Sequence, residues 1–201
     1  STYGEINTWD VSLITDMGDL FRDKDTFNDD IGNWDVSSVT NMNGMFRTAS
    51  VFNGDISDWD VSSVTTMNWV FQNASSFNQD ISDWVVDNVT SMSYLFLNAY
   101  VFTSDLSSWD VSKVTNMDHI FWRAFDFDSD LSNWDVSSVT NMGGMFRETS
   151  FNGDISGWDV SSVTNMYYMF ALASSFNQDI SGWDVSNVVS MVDMFDDAID
   201  L

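Results

Sequence analysis

The chain has no cysteine and no proline, one histidine, and only six lysines and arginines in 201 residues. Without cysteine there can be no disulfide and no thiolate metal site, although the compartment stays open, because repeat arrays outside the cell can be held by stacking alone. The six basic residues face 31 acidic ones, for a net charge of -25. Such a surface repels phosphate backbones and anionic membranes, so nucleic acid is excluded as a partner class. No stretch approaches the roughly 20 apolar residues that cross a bilayer, so direct membrane insertion by this segment is not expected. The opening STYGEINTWD lacks a basic start followed by an apolar run, so a secretion signal is expected outside this segment.

What is abundant is aromatic and periodic. Ten Trp, 16 Phe and 12 Met are present, and eight of the tryptophans recur as Trp9, Trp34, Trp59, Trp84, Trp109, Trp134, Trp158 and Trp183. The spacing is 25 residues, with one step of 24. The missing residue lies between Phe146 and Phe151, in a segment expected to be a loop. A fixed period of this size means stacked supersecondary units, and residues 1–201 read as one solenoid of eight repeats, numbered here by their tryptophans. No polar cap is evident at either end, and the array reads as a segment of a longer surface protein.

In the second repeat, FNDDIGNWDVSSVTNMNGMFRTASV, Trp34 and Val36 flank Asp35, the alternation of a short strand. Met42, Met45 and Phe46 then fall at i, i+3 and i+4, which predicts a helix, with Thr40 at its N-cap. One parallel strand and one short helix per turn make the expected fold an α/β solenoid of the leucine-rich-repeat type. In register, the apolar positions would stack into Trp, Val, Met and Phe ladders. The motif FNxDISxWDVSxVTxMxxMFxxA closely resembles the BspA-like leucine-rich repeats of bacterial, mycoplasmal and some protist surface proteins, including mycoplasma-type surface lipoproteins. That resemblance covers essentially the whole chain. It implies a cell-surface or secreted location and adhesion to a host or neighbouring cell, and it carries no catalytic residues.

Comparing the repeats with one another separates fixed columns from free ones. The free positions lie one, two and five residues after the first Met, on what would be the solvent face of the helices. There the chain places Arg47, Trp69, Tyr94, Leu97, His119, Trp122, Arg147, Tyr167 and Tyr168. Exposed aromatic and arginine side chains are the material of binding hot spots. These residues are therefore the candidate contacts for a protein or glycan partner on another cell or matrix, with unconstrained drift as the alternative.

Two acidic columns run along the array. One follows the Trp and includes Asp35, Asp60, Asp110, Asp135 and Asp159, and the other precedes the strand. Carboxylates about 5 Å apart repel by roughly 0.8 kcal/mol in water, and something must offset this. Local hydrogen bonds that fix turns are one answer. Calcium held by the five named aspartates is the other, although the spacing matches no EF-hand.

Nothing resembles an active site. His119 has no second histidine or cysteine, the carboxylates recur in every repeat, and no phosphate loop or zinc spacing appears. The expected role is non-catalytic binding without a cofactor. The alternatives are a passive spacer or assembly scaffold and a calcium-dependent repeat module. Oligomeric state is left open.

Overall fold

The computed structural model describes residues 4–198. The extreme ends of the array, where no polar cap is evident in the sequence, include residues 1–3 and 199–201, which lie outside that range. Each 25-residue repeat forms one flat coil, and successive coils stack in parallel. Seven parallel bridges run through one column, Asp16, Asn41, Thr66, Ser91, Asn116, Asn141, Asn165 and Ser190.

The expected α/β architecture is not what forms. The sole helical element among the described residues is a short 3-10 turn at Ile6–Thr8, so none is long and apolar enough to cross a membrane. Strand pairing is confined to single bridges, and these fall just after the Thr column instead of at Trp-Asp-Val. The coil is made of β-turns. Trp34 N–H closes on Ile31 O, Val39 on Val36 O, Met45 on Met42 O, Ala49 on Phe46 O and Phe52 on Ala49 O.

The reason a helix fails lies in where alternate N–H groups point. Those of Met42, Gly44, Phe46 and Thr48 leave their own coil and bond to Thr66 O, Asn68 O, Val70 O and Gln72 O of the next. Gly44 and Thr48 carry positive φ, as do the residues in the same two columns throughout, from Asp19 and Asp23 in the first coil to Asp193 and Asp197 in the last. A left-handed residue at every fourth position breaks a helix. Two consecutive turns nevertheless bury Met42, Met45, Phe46 and Ala49, which is the i, i+3, i+4, i+7 spacing of a helix stripe.

The threonine column does not cap a helix either. Thr40 Oγ1 donates to Thr15 O at 3.2 Å, and Thr65, Thr90, Thr115, Thr140 and Thr164 repeat the link coil by coil. Trp34 and Val36 do point inward and Asp35 outward, as the alternation required. From Trp34 to Trp183 each indole of this column then bonds the preceding coil, as Trp59 Nε1 does to Ile31 O and Trp84 Nε1 to Ile56 O.

The core is a stack of aromatic rings. Phe46 lies 4.0 Å from Phe52 within its coil and 5.7 Å from Phe71 in the next, nearly parallel in both cases. The one-residue deletion falls at the corner of repeat six. The turn that Phe52 closes on Ala49 has no counterpart before Phe151, and Thr149 Oγ1 bonds Phe146 O instead.

Leu172 is exposed and has a φ of 58°, in a column where repeats three and four carry Asn73 and Asn98. Leucine is unfavourable in that conformation and asparagine tolerates it. Leu172→Asn should therefore raise stability by about 0.5–1 kcal/mol, measured by urea denaturation.

Candidate functional site

The free columns do not form one uniformly exposed face. The structure brings most of their aromatic members together across repeats three to seven. Trp69 stacks on Tyr94 at 6.2 Å, and Tyr94 on the His119 ring at 5.0 Å. Trp122 and Tyr167 close over His119 from two further directions at 4.9 and 5.4 Å. His119 is thereby buried, with 6% of its surface exposed, and Leu97 is buried as well. Neither is available to a partner, unlike the half-buried Tyr94, Trp122, Arg147, Tyr167 and Tyr168 and the exposed Trp69. Arg47 lies apart in repeat two, half-buried.

Asp118 lies under this aromatic cover and was not singled out by the pattern of free aromatics. Its carboxylate meets His119 Nδ1 at 3.1 Å and accepts from Tyr167 Oη at 3.0 Å. Burial opposes its charge, but hydrogen bonds from His119, Tyr94 and Tyr167 outweigh burial and hold its pKa below the usual value. The tyrosines respond in the opposite sense. Burial and the Asp118 carboxylate push Tyr94 up to about 12 and raise Tyr167 as well.

Two glycines make room for the cluster. A Cβ on Gly144 would lie 2.6 Å from His119 Cδ2, and one on Gly143 would lie 2.7 Å from Asp118 Oδ1 and strike the Tyr167 ring. Gly144 also has a φ of 55°. The Gly143-Gly144 pair is thus the sequence signal for the buried network. Gly144→Ala should cost about 1–3 kcal/mol and weaken the tyrosine near-ultraviolet circular dichroism. Gly157, with nothing within 4 Å of its built Cβ, serves as the control, and Gly157→Ala should change stability by less than about 0.5 kcal/mol.

Beside this network lies a cationic-aromatic patch. The Arg147 guanidinium sits 4.7 Å from the Trp122 ring and 4.8 Å from the Tyr168 ring. Glu148 ties it down, accepting from Arg123 Nε at 2.7 Å and Trp122 Nε1 at 3.3 Å. Burial would raise the Glu148 pKa, but the Arg123 bond overcomes it and leaves the group lowered. The deletion at the repeat-six corner opens a shallow depression of about 430 Å³ next to Glu148, lined also by Phe125, Ser150 and Leu172. Arg123, Glu148 and Phe125 lie outside the three free columns, so comparing those columns passed over them.

The acidic columns have a local explanation. Asp60 Oδ1 accepts from both the N–H and the hydroxyl of Ser62, at 3.0 and 2.6 Å. Asp35 and Asp135 make the same pair of bonds with Ser37 and Ser137, while Asp110 and Asp159 accept the N–H of Ser112 and Ser161. Among the described residues, no three acidic or histidine side chains are grouped to hold a metal ion. The Ser62 hydroxyl, then its N–H, lowers the Asp60 pKa below 3.8. Because the folded value is depressed, the stability contributed by this turn is complete above the unfolded value and disappears as pH falls through the folded one. Ser62→Ala should raise the Asp60 pKa, as read from its carboxyl carbon shift in an NMR titration.

The chain is thus a repeat protein of stacked, turn-built coils with one irregular patch on its outer surface. It belongs to the family described as Mycoplasma protein of unknown function, DUF285, whose model matches residues 1–108 and 90–201. Membership is consistent with the mycoplasma-type surface repeats that the motif resembles, although the strand-and-helix unit of a leucine-rich repeat is absent. No curated protein and no solved structure matches the chain.

Proposed function

We propose that this chain is a non-catalytic binding region of a cell-surface or secreted protein and that it recognises a protein or glycan partner through the outer surface of repeats three to seven. The observation that carries this reading is the cluster of Trp122, Arg147 and Tyr168. It concentrates two aromatic rings and a guanidinium on a molecule of net charge -25 with only six basic residues. Tryptophan, tyrosine and arginine are the residues that dominate binding energies, above all when neighbours hold them rigid. Here the network of buried Asp118 and His119 with half-buried Tyr167 supplies the rigid backing.

The same burial argues against catalysis. A general base must reach its substrate, and the His119–Asp118 pair has side-chain exposures of only 7% and 10%.

The test is a screen of the chain against glycans and cell-surface proteins, followed by the triple variant Trp122→Ala, Arg147→Ala, Tyr168→Ala. These side chains lie outside the phenylalanine stack, so the fold should persist, as checked by near-ultraviolet circular dichroism. Affinity for the ligand found should drop at least tenfold, about 1.4 kcal/mol. Unchanged affinity would move the site elsewhere. A screen with no ligand would favour the spacer role.

A further inference from the structure

We propose that the depression at the repeat-six corner is a subsite for one uncharged pyranose ring of a glycan, seated on the ring of Phe125. This rests on the partner-binding reading above and gives it a ligand class.

The depression occurs once, because repeat six is the one shortened at this corner. Coil seven passes through Ser174 and Ser175 to Phe176, whereas in coil six Ser150 runs directly into Phe151. Phe125 and Ser150 share a column: the Ser150 hydroxyl bonds Phe125 O, as the Ser75 hydroxyl bonds Ser50 O between earlier coils. Tyr100 covers one side of the Phe125 ring, stacked at 5.2 Å and 10°. In coil six the same column holds that serine, so no ring stacks on the far side, and Phe125 stays 46% exposed. A flat aromatic face, held from behind, thus borders a hollow of about 430 Å³, within the roughly 300–1,000 Å³ of small-ligand sites.

Much of the remaining lining is polar and unengaged. Among the described residues, the hydroxyls of Ser174 and Ser175, the Ser175 N–H and Ser150 O make no hydrogen bond. The Glu148 carboxylate is fixed by Arg123 Nε at 2.7 Å on one oxygen and by Trp122 Nε1 at 3.3 Å on the other. Each oxygen keeps a second acceptor position. An aromatic face ringed by hydroxyls and acceptors matches a pyranose, which is apolar across its axial C–H bonds and polar around its rim. An apolar side chain from a protein would leave the same groups without partners, which is costly once water is displaced. Charge selects among sugars. Glu148 lines the hollow, the exposed Asp126 adjoins Phe125, and the whole chain carries -25, so an acidic sugar meets repulsion. Arg123 does not reverse this, since its Nε is already paired with Glu148. Through Glu148 the subsite also adjoins Trp122, which places the Trp122, Arg147 and Tyr168 patch beside the rest of a longer glycan.

Amide NMR on the isotope-labelled chain tests this, with the methyl glycosides of glucose, galactose, mannose, N-acetylglucosamine and N-acetylgalactosamine as probes and glucuronic acid as the acidic comparison. At least one neutral glycoside should shift the amide signals of Ser150, Ser174 and Ser175, with a dissociation constant in the millimolar range. Phe125→Ala should weaken that binding at least tenfold and Phe125→Tyr should retain it. Phe125→Leu, which keeps apolar bulk without a flat face, should lose it as the alanine does. Inserting one serine between Ser150 and Phe151 restores the corner of the other coils and should abolish binding, with near-ultraviolet circular dichroism showing that the fold persists. No shift by any neutral glycoside up to its solubility limit, tighter binding of glucuronic acid, or unchanged binding in Phe125→Ala would each overturn the proposal. So would an unglycosylated protein ligand whose binding depends on Phe125. A glycan lost in the Trp122→Ala, Arg147→Ala, Tyr168→Ala variant but retained by the insertion variant would overturn this subsite and leave the wider reading standing. A glycan retained by both would remove both.

Discussion

The structure depends on backbone N–H groups that leave their own coil. Between Met42 and Thr48, alternate residues donate to the next repeat while the intervening N–H groups of Met45 and Arg47 close turns within their own. Every polar backbone group must find a partner, and this division satisfies the segment without helix or long strand. It also makes each coil incomplete by itself. Half of its bonds and both faces of its aromatic rings belong to neighbours, as Phe71 shows by stacking between Phe46 and Phe96 at 5.7 Å each way. Stability in such an array is a sum over junctions.

Stacking in register carries an electrostatic cost, since it aligns carboxylates from coil to coil. Asp130 shows which effect wins. The charges of Asp105 and Asp154 raise its pKa, yet the bonds from Ser132 have the larger effect and the net shift is downward. The carboxylate thus does more as a turn acceptor than it loses by its neighbours. That explains why Asp recurs two residues ahead of Ser, and it leaves the columns needing no cation to be tolerated.

The period, the buried columns and the inward direction of Trp34, Val36, Met42, Met45 and Phe46 were legible in the sequence, because burial acts on side chains. The backbone was not, because two consecutive β-turns bury the same i, i+3, i+4 and i+7 positions as a helix. Evidence against the helix was present in composition. Asp19, Gly44, Gly144 and Asp193 in one column, and Asp23, Asn73, Asn98 and Asp197 in another, are residues suited to positive φ. Reading the first of these columns as freely varying surface positions hid that signal. The candidate site was legible only in outline: its aromatics stood out as departures from the repeat, but Asp118, Arg123 and Glu148 acquire meaning only when coils four to seven are placed side by side.

The patch and the coil geometry are linked by the same backbone rule. Trp69, Tyr94, His119 and Tyr168 occupy the left-handed column, each with φ between 52° and 60°, where a bulky side chain is disfavoured. Four such residues within five repeats carry a conformational cost that Gly44 and Gly144 avoid. Their rings recover part of it by stacking from coil to coil, Trp69 on Tyr94 and Tyr94 on His119, and offset aromatic pairs add about 0.5–1.5 kcal/mol each. The His119 ring then ends over Gly144, where the missing side chain leaves it space. Unconstrained drift would place such rings singly. A stack that ends on the one residue type able to receive it is a cooperative feature of the surface, and it backs the neighbouring Trp122, Arg147 and Tyr168.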